Sequence, residues 1–202
     1  MTGKEFFNTI QKTGIAEFKD RGSRFIAFAF PITVKEDFKA MMAGVKSEHP
    51  KATHYCFAYR IGLDGNNFRS GDDGEPSGTA GKPILGQIDS KELTNALIIV
   101  VRYFGGSLLG VPGLINAYKT AASLVLQVIP VMQKPIELRY HLRFDYTMMN
   151  DIMLIVKQTN CTIINREMQL FCTMVIGIPV KQVDPILNRL REIQNLEVEK
   201  FN

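Results

Sequence analysis

Tryptophan is absent from this 202-residue chain, and cysteine and histidine occur only three times each. Cys56, Cys161 and Cys172 form an odd set with no Cys-x-x-Cys spacing. That excludes a fully paired disulfide framework, argues against a zinc site, and favours buried free thiols in a reducing cytoplasm. His49, His54 and His141 are too scattered to suggest a metal cluster. No apolar run approaches the roughly 18 residues of a membrane span. Met1 to Lys12 lacks the apolar core of a secretory signal, so a cytoplasmic location without a membrane partner is expected. Internal repeats and low-complexity segments are also missing. What is present, 46% apolar and 22% charged residues, is the composition of an ordinary folded protein.

Charge is uneven along the chain. Residues 1–134 carry 16 Lys and Arg against 12 Asp and Glu, whereas residues 135–202 carry 8 against 8. A surface that holds a polyanion is therefore expected on the first part.

The periodicity divides the chain at the same place. Residues 13–30 read as a hairpin around Lys19–Gly22, and Pro31 ends its second strand. Thr33-x-x-Glu36 has the form of a capping box, with Phe38, Met41, Met42 and Val45 at helical spacing behind it. His54 to Ile61 alternates, with Tyr55, Phe57, Tyr59 and Ile61 on one face. A short strand around Phe68 follows the Asp64-Gly65 turn. The continuous apolar run Leu97–Val101 predicts a strand covered on both faces. Beyond the glycine turn 105–113, a long helix has the stripe Leu114, Ala117, Tyr118, Ala121, Leu124, Val125 and Val128, with Pro112 in its first turn. Pro130 and Pro135 close this domain, residues 1–134. Residues 135–202 form a second domain of order βαββαβ. Its strands are expected at 136–146, 161–166, 169–178 and 195–201, with a tight connection at Arg166-Glu167 and helices at 150–159 and around 183–193.

The stretch with most special chemistry is Asp72-Asp73-Gly74-Glu75-Pro76-Ser77-Gly78-Thr79-Ala80-Gly81-Lys82-Pro83. Gly and Pro together give such a loop one defined shape, and shaped loops on rigid scaffolds carry function. It is not a Walker loop, because Pro76 and Pro83 stand where the motif needs Gly and a hydroxyl. Lys82 and the freed backbone N–H groups would still hold an anion if they form a nest. Asp72, Asp73 and Glu75 suit either Mg²⁺ and acid–base work, or capping of backbone and pairing with Arg60, Arg69 or Arg102. Ser77 or Thr79 as a nucleophile would need His54 as base. Cys56 shares a strand face with His54, which allows a thiol–imidazole pair. Arg102, Tyr103 and Phe104 follow the buried strand, and there they either hold phosphate and stack a base or seal the core edge.

These residues together resemble the YigZ/IMPACT family. The matching stretches are Ser23–Ala27, Ala52–Arg60, Asp72–Leu85 and Val101–Gly106, with Leu109-Gly110 and Gly113-Leu114. The tail resembles the C-terminal domain of the bacterial branch, which is similar to the last domain of elongation factor G. The resemblance implies an α+β protein: a ribosomal protein S5 domain 2-like α/β sandwich followed by a ferredoxin-like domain. Eukaryotic relatives regulate translation, so the implied role is a translation-linked accessory protein that binds RNA or the ribosome, without a cofactor. Arg60, Lys82 and Arg102 would contact phosphate, Tyr59 and Tyr103 would stack, and Ser77, Thr79, Gly105 and Gly106 would line the groove. The alternatives are a Mg²⁺-assisted hydrolase or transferase using His54, Asp72, Asp73 and Glu75, and a protein-docking module in the same groove. Two departures stand out: Ser107-Leu108-Leu109 lacks a Lys that relatives often carry, and Asn116 replaces a usual Arg.

Overall fold

A computed structural model describes residues 4–168 and 171–201. The chain divides into two compact units, Phe7–Lys134 and the described residues on either side of it. In chain order the first unit is built from β1 (Phe6–Ile10), β2 (Gly14–Asp20), β3 (Ser23–Pro31), α1 (Lys35–Glu48), β4 (His54–Ile61) and β5 (Asn67–Gly71). It continues with α2 (Gly81–Ser90), β6 (Ala96–Tyr103), α3 (Gly110–Val128) and β7 (Val131–Pro135). A five-stranded antiparallel sheet has the order β2-β3-β6-β4-β5, and β1 pairs with β7 in a separate ribbon.

Strand β6 lies at the centre and shows why its sequence is apolar throughout. Ala96, Ile98 and Val100 pack with α2 and α3 on one face, against Ile84, Ile88, Leu114, Tyr118 and Val125. Leu97, Ile99 and Val101 face the other way, with Phe57, Tyr59 and the α1 residues Phe38, Met41, Met42 and Val45. The alternation of side chains along a strand turns one run into two cores. The start of α1 differs from the expected box. Asp37, not Glu36, reaches back to the backbone N–H groups of Thr33 (2.7 Å) and Val34 (3.1 Å), because a carboxylate three residues into the helix is the one that faces those donors. Those bonds hold the Asp37 carboxyl below its ordinary value.

The second unit contains β8 (Glu137–Phe144), α4 (Met149–Gln158), β9 (Thr162–Met168), β10 (Cys172–Pro179), α5 (Val183–Arg191) and β11 (Glu197–Lys200). Its four strands are antiparallel in the order β11-β8-β10-β9. Leu142, Phe144, Met174 and Ile176 meet Ile152, Val156, Ile186 and Leu190 of the helices in a separate core. The predicted connection at Arg166-Glu167 is corrected: both residues are in β9, opposite Met174 and Thr173. The expected strand start at 169–170 lies outside the described residues. Helix α2 and strands β1 and β7 were not expected from periodicity. Among the described residues no helix is long and apolar enough to cross a membrane.

Candidate functional site

The loop between β5 and α2 is folded around its own carboxylates. Asp72 Oδ1 accepts from the backbone N–H groups of Ala80 (3.0 Å) and Gly81 (2.8 Å), and Oδ2 accepts from Gly78 (2.9 Å). Burial opposes the charge of Asp72, but the three donors outweigh it and hold the carboxyl below its ordinary value. The backbone N–H groups expected to hold an anion are thus taken by a side chain of the same loop. A Cβ on Gly81 would stand 2.7 Å from the Gly71 nitrogen, so only glycine lets the start of α2 close against the end of β5.

Strand β4 holds the other side of the loop. Cys56 Sγ donates to the Asp72 carbonyl at 2.9 Å, and His54 Nδ1 lies 2.7 Å from the Asp73 carbonyl. A carbonyl only accepts, so Nδ1 carries the proton. Thiol and imidazole therefore bind successive carbonyls rather than each other. Tyr55 N–H donates to Asp73 Oδ2 at 2.7 Å. Burial pushes the Cys56 thiol far up, with help from Glu75, Asp73 and Asp72, so it is not an activated nucleophile. Thr79 donates its hydroxyl to the Pro76 carbonyl at 2.7 Å, and Ser77 is exposed. Neither hydroxyl is hydrogen-bonded to His54 among the described residues.

Glu75 is the centre of the site, and it is only 8% exposed. Its Oε1 accepts from Arg102 Nη1 at 2.6 Å and from the Tyr118 hydroxyl at 2.7 Å, and His54 Nε2 is 3.8 Å away. Arg102 is 5% exposed, with its guanidinium 5.5 Å from the Phe25 ring and 5.6 Å from that of Phe104. Its Nη2 reaches Ser23 Oγ at 3.4 Å, and its buried Nε has no partner. Burial, then Cys56 and Glu75, raise the Tyr118 hydroxyl far above its ordinary value, so it remains a donor. Gly105 N–H donates to Ser23 Oγ at 3.2 Å. A Cβ on Gly105 would stand 1.9 Å from the Gly22 carbonyl carbon, which fixes the glycine turn against the β2–β3 hairpin.

The expected binding residues are only partly brought together. Ser77 and Thr79 belong to the loop, Lys82 sits in the first turn of α2, and Glu75 ties the loop to Arg102 beside Gly105 and Gly106. Lys82 is exposed and makes no ion pair among the described residues. Tyr103 points to the α1 face, opposite Arg102, because neighbouring strand residues alternate. Tyr59 is buried on that face, 5.3 Å from Phe38. Arg60 binds Asp89 at 2.7 Å and the Gly65 carbonyl at 2.5 Å. It pairs with Ala96, whereas His54 pairs with Arg102, so six residues of strand, about 20 Å, separate the two arginines. Asp72, Asp73 and Glu75 serve different partners, and no group of three or more His, Cys, Asp or Glu residues suited to a metal is present among the described residues.

The Impact N-terminal domain family matches residues 21–126, which include every element of this site. The chain belongs to the IMPACT family. It is 35% identical over 163 residues to IMPACT family member YigZ of Escherichia coli, covering 80% of each chain. It is 32% identical over 180 residues to an IMPACT family member of Haemophilus influenzae, covering 88% of this chain and 87% of the relative. A crystal structure of a hypothetical protein, 30% identical, superposes with a TM-score of 0.78 over 98% of both chains.

Sequence reasoning missed two partners in this IMPACT-family site. Tyr118 looked like one more core residue in the α3 stripe, yet a buried tyrosine needs a hydrogen-bond partner, and that requirement was the available signal. Ser23 opens a stretch that matches the family, but its contact with Arg102 was hidden, because only β3–β6 pairing brings the two together. A second cluster also went unnoticed, on the α1 face. The Tyr103 hydroxyl and His49 Nδ1 are 2.9 Å apart, and the Tyr55 hydroxyl donates to the His49 carbonyl at 2.5 Å. Arg24 lies 5.9 Å from the Tyr103 ring centre, and Lys46 lies 5.2 Å from that of Tyr55.

Proposed function

We propose that this protein is a translation-linked accessory factor that binds RNA through the Phe7–Lys134 unit. The observation that carries the reading is the row of Arg24, Tyr103, His49, Tyr55 and Lys46, two half-buried tyrosines each with a cation within 6 Å of the ring; Arg24 is also bound to Glu17 at 2.7 and 2.8 Å, a surface pair that a phosphate has to displace. Cations that track phosphate beside rings that stack bases are the parts of a single-strand RNA surface. Tyr103 keeps its stacking role in this reading, Lys51 adds exposed charge, and Lys82 is exposed on α2, across the sheet. Arg102, Arg60 and Tyr59 act as structural supports. The link to translation comes from the family resemblance and from fold analogy. We assign the first unit to the ribosomal protein S5 domain 2-like sandwiches. The second is assigned to the ferredoxin-like folds, supported by its order βαββαβ and strand order β11-β8-β10-β9. Both fold types recur in translation factors.

The test is binding to short single-stranded RNA across a salt series. Each phosphate contact adds about −0.7 to the log–log slope. Replacing Arg24, Lys46 and Lys51 by Ala is expected to flatten the slope by about 2 units. Lys82→Ala reports separately on the start of α2. A wild-type affinity no tighter than about 10⁻⁴ M at physiological salt, or a slope unchanged in the triple variant, defeats the reading.

A further inference from the structure

The start of α3 and the turn before it present apolar surface that the fold does not use. Leu108 is 84% exposed, Val111 53% and Ile115 39%. Val111, Ile115 and Lys119 follow one another at i, i+4 and i+8, so they form one outward stripe, while Leu114, Ala117, Tyr118 and Ala121 fill the core from the other side. The turn that carries Leu108 is held in place. Gly105 is pressed against Gly22, and Arg21 Nη2 donates to the Leu109 carbonyl at 3.3 Å. A leucine this exposed on a shaped turn, three residues before the start of an exposed helical apolar stripe, is the pattern of a docking surface.

The charges around it indicate what docks there. Residues 104–128 contain no Asp or Glu and one cation, Lys119. The first turn of α3 has no acidic residue and no side-chain cap, so its N–H groups present positive potential beside Val111. Arg21 stands at the same end, with its side chain half exposed and an acidic neighbour, Asp20, at 3.7 Å. Lys119 is exposed at the other end and makes no ion pair among the described residues. The stripe is thus apolar along its middle and positive at both ends.

We propose that Leu108, Val111 and Ile115 form a docking face for an amphipathic segment of a partner protein, apolar on one side and acidic at its edges. Leucine-type side chains of the segment cover the stripe, and its carboxylates meet Lys119 and the Arg21 end.

Fluorescence anisotropy with a labelled synthetic helix of about five turns tests this on the full chain. One peptide has leucines on one face flanked by glutamates, and its counterpart has lysines in place of the glutamates. The glutamate peptide is expected to bind saturably, and the lysine peptide at least about tenfold more weakly, a difference of about 1.4 kcal/mol. Leu108→Ser with Ile115→Ser is expected to weaken the glutamate peptide by a further factor of about ten. Lys119→Glu is expected to narrow the gap between the two peptides. These side chains are exposed, so unchanged circular dichroism and melting show that the variants fold. Binding that ignores the substitutions or favours the lysine peptide overturns the proposal. So does loss of RNA binding in the Leu108/Ile115 variant, which would assign the face to nucleic acid. A wild-type dimer that the same variant dissolves would also overturn it, because the occupant would be a second copy of this chain.

Discussion

Glu75 Oε1 takes hydrogen bonds from Arg102 and Tyr118 inside the protein, and its charge is matched by one guanidinium. Pairs of this kind add little net stability, but breaking one side leaves a charge buried alone. Arg102→Met is therefore expected to cost about 3–5 kcal/mol in urea unfolding. Adding Glu75→Gln should recover part of that loss, because the uncompensated charge goes with it. A single-variant cost under about 1 kcal/mol would show that water screens the pair. Cys56 gives a second residue-level outcome. Its thiol and the Tyr118 hydroxyl are both raised in the folded protein, so their contribution is fully present below their unfolded values and is lost as pH rises above about 8.5 and then about 10. Cys56 is expected to resist thiol reagents at pH 8 until the chain unfolds. Cys56→Ala should lessen the fall in Tm above about pH 8.5. A thiol that reacts rapidly in the native protein would contradict its burial.

The loop from Asp72 to the start of α2 keeps its shape through one carboxylate that takes three backbone donors. Its lowered value means that the unfolded chain binds the proton more tightly. The stabilisation is present above the unfolded carboxyl value of about 3.9 and is lost as pH falls through the folded one. Asp72→Ala leaves N–H groups without partners and should cost about 2–4 kcal/mol at neutral pH. Asp72→Asn keeps one acceptor oxygen, should cost less, and should flatten the dependence of stability on pH below about 4. Melting curves from pH 2 to 7 measure both. An Asn variant with the wild-type acid profile would remove Asp72 from the account.

Two hydrophobic cores fill the Phe7–Lys134 unit, one on each face of its sheet, and a third belongs to the tail. A unit with its own cores unfolds as its own cooperative block. Residues 7–134 expressed alone are expected to melt in one sharp transition with native-like near-ultraviolet dichroism. A broad transition would mean that the unit depends on residues outside it.

Much of this was legible in the chain. The apolar run 97–101 and the α3 stripe identified the central strand and the long helix, because burial on one or two faces leaves a period in the sequence. The family showed itself in the loop and the strand ends. Helix α2 was hidden, since its first turn, Gly81-Lys82-Pro83, reads as a turn and only the Asp72 carboxylate and core packing make it a helix start. Strands β1 and β7 are short and have little alternation. The site depended most on tertiary structure. Sequence placed Tyr59 and Arg60 on a strand and Arg102 and Tyr103 just past the end of another, but β6 runs on to Tyr103, so pairing register sets Arg60 far from Arg102, and the pleat sends Tyr103 away from it. Whether a carboxylate meets solvent, a backbone nest or a buried guanidinium depends on distances of a few ångströms between segments far apart in the chain. The sequence by itself determined which residues alternate, which faces are apolar and which family the chain resembles; the fold alone decided that Glu75 joins Arg102 to Tyr118, because that contact exists only once the loop, β6 and α3 have packed together.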